Sequence, residues 1–312
     1  MDAATSPATA VRCRGLVKRY ADVTAVAGLD LAVRRGECFG LLGPNGAGKT
    51  TTIEILEGLT DPDAGEVEIL GTTWAKDGAG LRERLGISLQ ETQLAEKLTV
   101  GETVRLFRSF YRRGWDPEAV LTRLSLEEKR NARVGKLSGG QKQRLAVACA
   151  LVGDPEVLFL DEPTTGLDPQ SRLQLWQQVM DFRATGGTVL LTTHYMDEAE
   201  RLCDRVAIVD HGQVIALGTP AELISSLHAA NVIEFASEPE MEEASLRALP
   251  GVTELHRRGP NWSLPVGSLA ETVPLLLALV ERSEAKLVNL STHRATLEDL
   301  FVSLTGRALR ED

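Results

Sequence analysis

Long apolar runs are missing from this 312-residue chain. The most apolar stretches, 145–152 and 274–280, fall well short of the roughly 18 residues needed to cross a bilayer, and they fit buried helices. If the protein works at a membrane, another chain must supply the membrane part. The first residues are small and polar with no apolar core, so no signal peptide is expected and 1–10 reads as a disordered lead-in. Positive charge is also in deficit. Lys and Arg number 34 against 44 Asp and Glu, a net charge of −10. Nucleic-acid partners need a basic face, so none is expected, and the acidity serves solubility instead. Cysteine is scarce: Cys13, Cys38, Cys149 and Cys203 are scattered, with no C-x-x-C pair. They read as buried free thiols rather than a metal site or disulfide, which fits a reducing cytosol. No internal repeat is visible.

What is present is an ordinary globular composition, 43% hydrophobic and 25% charged, with length for one large domain and a smaller one. Residues 11–17 alternate as a strand, and 28–33 continue the pattern. Residues 38–42 form a short apolar run that ends in a glycine-rich loop, and 51–59 read as a helix. From 91 to 137 the chain is helical and charged, with helices expected at 104–113, 117–126 and 127–133. A helix at 141–152 precedes a continuous apolar strand at 157–160, the pattern of a sheet buried on both faces. A helix at 173–185 and strands at 189–192 and 206–209 complete a β/α alternation that argues for a parallel-sheet α/β core. A break falls at 225–231. Beyond it come a strand at 232–236, a helix at 241–249, a turn region at 259–267, a helix at 269–282, a strand at 285–290 and a last helix at 297–304. The domains are therefore set at 11–225 and 226–312, the second a small α+β unit.

Three motifs carry chemistry. The first is Gly43-Pro44-Asn45-Gly46-Ala47-Gly48-Lys49-Thr50, followed by Thr51, a phosphate loop between a strand and a helix. Its glycines let backbone N–H groups close on phosphate oxygens at a helix N-terminus. Lys49 supplies a point charge to the β- and γ-phosphates, and the Thr50 hydroxyl binds Mg²⁺. The second is Asp161-Glu162 at the end of an apolar strand. A carboxylate there faces the same crevice as the phosphate loop, so Asp161 would hold Mg²⁺ through water and Glu162 would act as general base on attacking water. The third is Ser138-Gly139-Gly140-Gln141, after Leu137 and just before a helix. Its exposed N–H groups make a second anion site. Lys142, Gln143 and Arg144 read as a solvated helix face.

These motifs, in this order, resemble the ATP-binding-cassette (ABC) ATPases over about residues 10–225. The resemblance implies a P-loop cassette fold: a parallel-sheet core with an antiparallel β part and an α-helical subdomain. It implies that two cassettes pair head to tail, the 138–141 signature of one closing on the ATP γ-phosphate held by the other. Asp168 matches the loop that crosses that interface. Gln90, in Gly86-Ile87-Ser88-Leu89-Gln90, matches the Gln that touches Mg²⁺ and reports to the transport partner. His194, in Leu191-Thr192-Thr193-His194, would contact the γ-phosphate, and Tyr20 would stack on adenine. The cofactors implied are ATP and Mg²⁺.

The segment from Lys49 to Ser138 is too short for the long coiled coil of the DNA-repair and chromosome-condensation ABC ATPases. The tail at 295–308, with Leu249-Pro250-Gly251-Val252, is similar to the C-terminal domain of type-2 ABC exporter ATPases, a branch that includes daunorubicin-resistance-like drug efflux proteins. The reading is then an ATPase that drives transport. A separate multi-spanning permease would dock on 91–115, and a second copy would complete the ATP sandwich. The subunit would be cytoplasmic, held peripherally at the inner face of the membrane. A non-transport ABC ATPase acting on a soluble complex is the alternative. Neither cargo nor the role of 226–312 is written in the motifs.

Overall fold

The computed structural model describes residues 8–90, 92–252, 254–258 and 261–306. Most of the expected lead-in and the first residues of the 259–267 region lie outside that set. Two compact units emerge, Met1–Ile215 and Ala216–Asp312.

The first unit opens with two long strands, β1 (Thr9–Tyr20) and β2 (Val23–Arg34), paired antiparallel through a tight turn. Then follow β3 (Cys38–Leu42), α1 (Lys49–Leu56), β4 (Ala64–Ile69), α2 (Trp74–Arg82) and β5 (Leu85–Ser88). The helical stretch holds α3 (Val100–Arg108), α4 (Pro117–Arg123) and α5 (Gly139–Leu151). The rest is β6 (Val157–Asp161), α6 (Pro169–Ala184), β7 (Thr188–Thr193), α7 (Met196–Leu202), β8 (Arg205–Asp210) and β9 (Gln213–Gly218). β9 runs across the division between the units.

One sheet has the order β5-β6-β7-β3-β8-β9, and β5, β6, β7, β3 and β8 run parallel. Every residue of β3, β6 and β7 is buried, which is why their centres are unbroken apolar runs rather than alternating ones, with Asp161 and the threonines of β7 at the strand ends. The other sheet, β2-β1-β4, is antiparallel. The two sheets share one core. Val11, Leu16 and Leu29 of the antiparallel sheet and Phe39 and Phe159 of the parallel one belong to a single buried cluster with Ile53 and Leu56 of α1. β4 and α2 were not foreseen. β4 is largely exposed and short of apolar residues, and its pairing to β1 is visible only in three dimensions.

In the helical region, α3 begins at Val100 rather than 104. Thr99 and Glu102 form a reciprocal capping box there. It ends at Arg108, where the Ser109 hydroxyl donates to the Leu106 carbonyl. The expected helix at 127–133 is only a 3₁₀ turn, Glu127–Lys129. Helices α3 and α4 pack on α5. Arg144 of α5 is not simply solvated: half-buried, it donates to the carbonyls of Leu124 and Ser125 and ties α5 to the end of α4. The four cysteines are buried and free.

The second unit adds α8 (Pro220–Ser225), β10 (Asn231–Glu238), α9 (Glu243–Arg247), β11 (His256–Arg258), β12 (Asn261–Val266), α10 (Leu269–Arg282), β13 (Lys286–Arg294) and α11 (Leu297–Thr305). Its antiparallel sheet has the order β11-β12-β10-β13. The expected turn region at 259–267 is therefore mostly strand. Trp262, Leu264 and Val266 alternate into the core, and pairing with β11 stops at Ser263, so Pro265 faces no β11 residue that would need its missing N–H. Leu246, Leu276 and Val280 close the core from α9 and α10. No helix among the described residues is long and apolar enough to cross a membrane.

Candidate functional site

The chemistry-bearing residues collect at the C-terminal ends of the parallel strands, where open α/β sheets place their ligands. The phosphate loop leaves β3 and enters α1 with Gly48 as a left-handed N-cap, φ 96°. Two of its glycines are sterically obligatory. A Cβ on Gly43 would stand 2.2 Å from the Val209 carbonyl oxygen, and one on Gly48 would stand 2.1 Å from that of Ala25. The loop is thus clamped between β2 and the end of β8. Lys49 is only 4% exposed, and its ammonium donates to the carbonyls of Gly43, at 2.9 Å, and Pro44, at 3.2 Å. Burial pulls its pKa below the ordinary lysine range, although Glu162 and Asp161 oppose that shift.

Asp161 is the last residue of β6, and Glu162 follows in a left-handed conformation, φ 44°, unusual for a side chain of this kind. That bend turns consecutive carboxylates to different neighbours. Asp161 accepts from the Thr192 hydroxyl, and burial raises its pKa above the usual carboxylate range, with the nearby Thr50 hydroxyl opposing that shift. The Glu162 N–H donates to Thr192 Oγ1 at 2.9 Å, so one threonine positions both acids. The Glu162 carboxylate is the centre of the site. Its Oε2 lies 3.1 Å from His194 Nδ1, accepts from the Thr165 hydroxyl at 3.1 Å and from the Gln90 amide at 3.4 Å, and its Oε1 is 3.6 Å from the Lys49 ammonium. His194 is the largest reason that the Glu162 pKa falls below the ordinary range, so this carboxylate is ionised at neutral pH.

Lys49, Thr50, Gln90, Asp161, Glu162 and His194 are therefore gathered in one place from four separate stretches of chain. Ser138, Gly139, Gly140, Gln141 and Asp168 are not among them: no hydrogen bond or ion pair among the described residues joins them to the phosphate loop. Ser138 and Gln141 cap α5 reciprocally, the Gln141 N–H donating to Ser138 Oγ and the Ser138 N–H to Gln141 Oε1. Gly139 has open space where a Cβ would be. Gly140 lies so close to α6 that a Cβ would meet Ser171 Oγ at 2.6 Å. Ser171 in turn donates to Asp168, which caps α6 through the N–H groups of Gln170 and Ser171. Signature and Asp168 thus form a second cluster of their own. Tyr20 stands at the β1–β2 turn, 45% exposed, with the Lys18 ammonium 5.5 Å from its ring. Thr192 and Thr165 escaped the sequence reading. Thr192 belongs to the same Leu191–His194 run as His194, but a threonine inside a β-rich segment gives no sign of which hydroxyl will meet a carboxylate.

The donor set suits Mg²⁺. The Thr50 hydroxyl, the Asp161 carboxylate and the Gln90 side-chain carbonyl are hard oxygen donors gathered at one place. Among the described residues no group of three or more His, Cys, Asp or Glu could hold a metal ion alone. That matches an ion that keeps its waters and takes phosphate oxygens as ligands.

Comparison with known proteins places these features in context. The family described as ABC transporter matches residues 26–165. The Nod factor export ATP-binding protein I of Burkholderia lata is 40% identical over 98% of this chain and 100% of its own length. That of Burkholderia pseudomallei is 42% identical over 94% of this chain and 95% of its own. Among solved structures, an ATP-binding subunit of an ABC transporter superposes with a TM-score of 0.65 at 30% identity, covering 70% of this chain and 94% of the other. A bacterial ABC transporter cassette solved as a dimer in a post-hydrolysis state, bound to ADP and phosphate, gives 0.61 at 28% identity, covering 67% and 98%.

Proposed function

The chain belongs to the ABC transporter family as an ATP-binding subunit, and from that premise we propose how its own residues drive the transport cycle. It is an ATPase that serves an exporter and works with a separate permease. The observation that carries the residue assignment is the convergence of Lys49, Gln90, Thr165 and His194 on the Glu162 carboxylate.

Lys49 exchanges the Gly43 and Pro44 carbonyls for the β- and γ-phosphates, which the N–H groups of 45–51 also cradle. Thr50, Gln90 and, through water, Asp161 would hold Mg²⁺, which would neutralise charge on the phosphate oxygens. Glu162, ionised and held by the Thr165 hydroxyl, orients the attacking water and takes its proton. His194 exchanges its bond to Glu162 for the γ-phosphate. Tyr20 stacks on adenine. Ser138–Gln141 and Asp168 stand apart from this cluster because they act in the other subunit's site, across a dimer formed by two copies. ATP closes that dimer and hydrolysis opens it. The permease docks over the segment 91–115 and holds the subunit at the inner face of the membrane. The relatives named for Nod factor export favour export, and cargo choice belongs to the permease. Residues 226–312 stabilise or regulate the dimer; deleting them without change in ATPase activity, dimerisation or export would remove that role.

The test is light scattering on Glu162→Gln with and without Mg·ATP. Doubling of mass only with nucleotide, together with turnover lowered at least ~100-fold, is expected from loss of a general base. A variant that hydrolyses at near the wild-type rate would sink the base assignment.

A further inference from the structure

A cleft of about 390 Å³ opens between the end of α1, the ring of Trp74 on α2, β5 and the C-terminal end of α3. Its walls are aromatic. Phe107 and Phe110 meet edge to face at 5.7 Å, and Phe110 is 62% exposed. Trp74 lies flat against Gly58, where a Cβ would stand 2.5 Å from the ring, and its indole N–H donates to the Leu56 carbonyl. Two acids and one cation line this cleft, and the cation, Arg82, lies 5.8 Å from the Trp74 ring. Glu83 is engaged, accepting the Arg112 N–H at 3.0 Å. Glu57 is not. It is 2% exposed, and neither carboxylate oxygen has a hydrogen-bond partner among the described residues.

A carboxyl closed off from water without a partner costs stability in the isolated chain. Burial and the nearby Asp161 and Glu54 charges push its pKa up to about 8. Such a group is unfavourable alone and becomes favourable when a donor reaches it. The catalytic cluster does not use it. An exposed aromatic rim around an unpaired acid is complementary to an amphipathic segment that carries one positive charge.

We propose that Glu57 is the specificity-determining contact of the docking cleft, and that it receives a Lys or Arg side chain from a cytoplasmic segment of the permease whose apolar face covers Phe107, Phe110 and Trp74. The proposal rests on the reading that a separate permease docks on this subunit. Apolar contact alone would let many helices bind. The buried acid rejects those without a cation, because they leave it unpaired.

The experiment uses the full-length subunit and membrane vesicles carrying its cognate multi-spanning permease. Binding is measured by co-sedimentation for the wild type, Glu57→Gln, Glu57→Leu and Glu57→Lys, and thermal melting is measured on the same isolated proteins. Glu57→Gln and Glu57→Leu are expected to bind ~10-fold more weakly or worse while melting no lower than the wild type. Glu57→Lys is expected to regain binding when one Lys or Arg of the permease's cytoplasmic segments is changed to Glu. Unchanged binding of Glu57→Gln and Glu57→Leu overturns the proposal. So does weaker binding accompanied by lower melting in both, since that is the mark of a structural residue. If the wild type itself does not bind these vesicles, the permease reading fails first, and the proposal falls with it by a separately visible route.

Discussion

At the scale of single residues, this cassette is a study in carboxylates given different environments. Glu162 is held ionised by His194, whereas Asp161, its neighbour, is shifted upward by burial. Glu57 is the extreme case, buried with no hydrogen-bond partner among the described residues and its pKa pushed from an ordinary 4.5 up to about 8 by burial. Its folded-state pKa is raised, so the folded chain keeps a proton that the unfolded chain has lost. That contribution is fully present below about pH 4.5 and is lost as pH rises through 8. Stability of the wild type relative to Glu57→Gln is therefore expected to fall across pH 5–8, by at most ~1.4 kcal/mol per pH unit. Urea unfolding of both proteins over that range checks it. A difference that stays flat with pH would show that the carboxyl is hydrated in solution.

At the scale of elements, the contact between α5 and α6 joins the 138–141 signature to the Asp168 cap of α6. Gly140 is the fulcrum, because Ser171 Oγ occupies the space a side chain would need and is already committed to Asp168. Gly140→Ala forces Ser171 away from Asp168 and removes one hydrogen bond of the α6 cap. The expected cost is about 1 kcal/mol, falling in a Ser171→Gly background where the clash is gone. A double-mutant cycle by chemical denaturation measures the coupling, and zero coupling would show that the helices are free to separate. Sequence legibility at this scale follows the kind of signal. The short buried strands β3, β6 and β7 and the amphipathic helix α10 were readable, since burial on both faces leaves a continuous run and burial on one stripe a periodic trace. β4 was not, since its exposed residues owe their strand to β1. Helix ends were also misread where a capping box, as at Thr99, or a side-chain bond to a carbonyl, as at Ser109, decided them.

At the scale of the whole molecule, one unit carries the nucleotide motifs and the other carries none of them. Ligand binding therefore stabilises the protein through the Met1–Ile215 unit. Nucleotide at 100 times its dissociation constant adds about 2.7 kcal/mol to the stability of whatever folds with the site. Mg·ATP is expected to raise the melting temperature of the wild type and to leave Lys49→Ala unchanged, because that variant loses the point charge for the phosphates. Scanning calorimetry with and without Mg·ATP makes the comparison. A Lys49→Ala protein stabilised as much as the wild type would remove Lys49 from the nucleotide site.

The sequence by itself determined the motifs, their order and the strands that present them. A glycine-rich loop, an Asp-Glu pair after an apolar run and a Ser-Gly-Gly-Gln signature are local patterns, dictated by backbone geometry and charge at a strand end or helix start. Tertiary structure alone decided the relations between them. Thr192 bridging the backbone and side chain of successive acids, Ser171 filling the gap left by Gly140, and Glu57 sealed unpaired beside an aromatic cleft are contacts between residues distant in the chain. Such contacts leave no periodicity and no motif, because they arise where packed elements meet and not within any one of them.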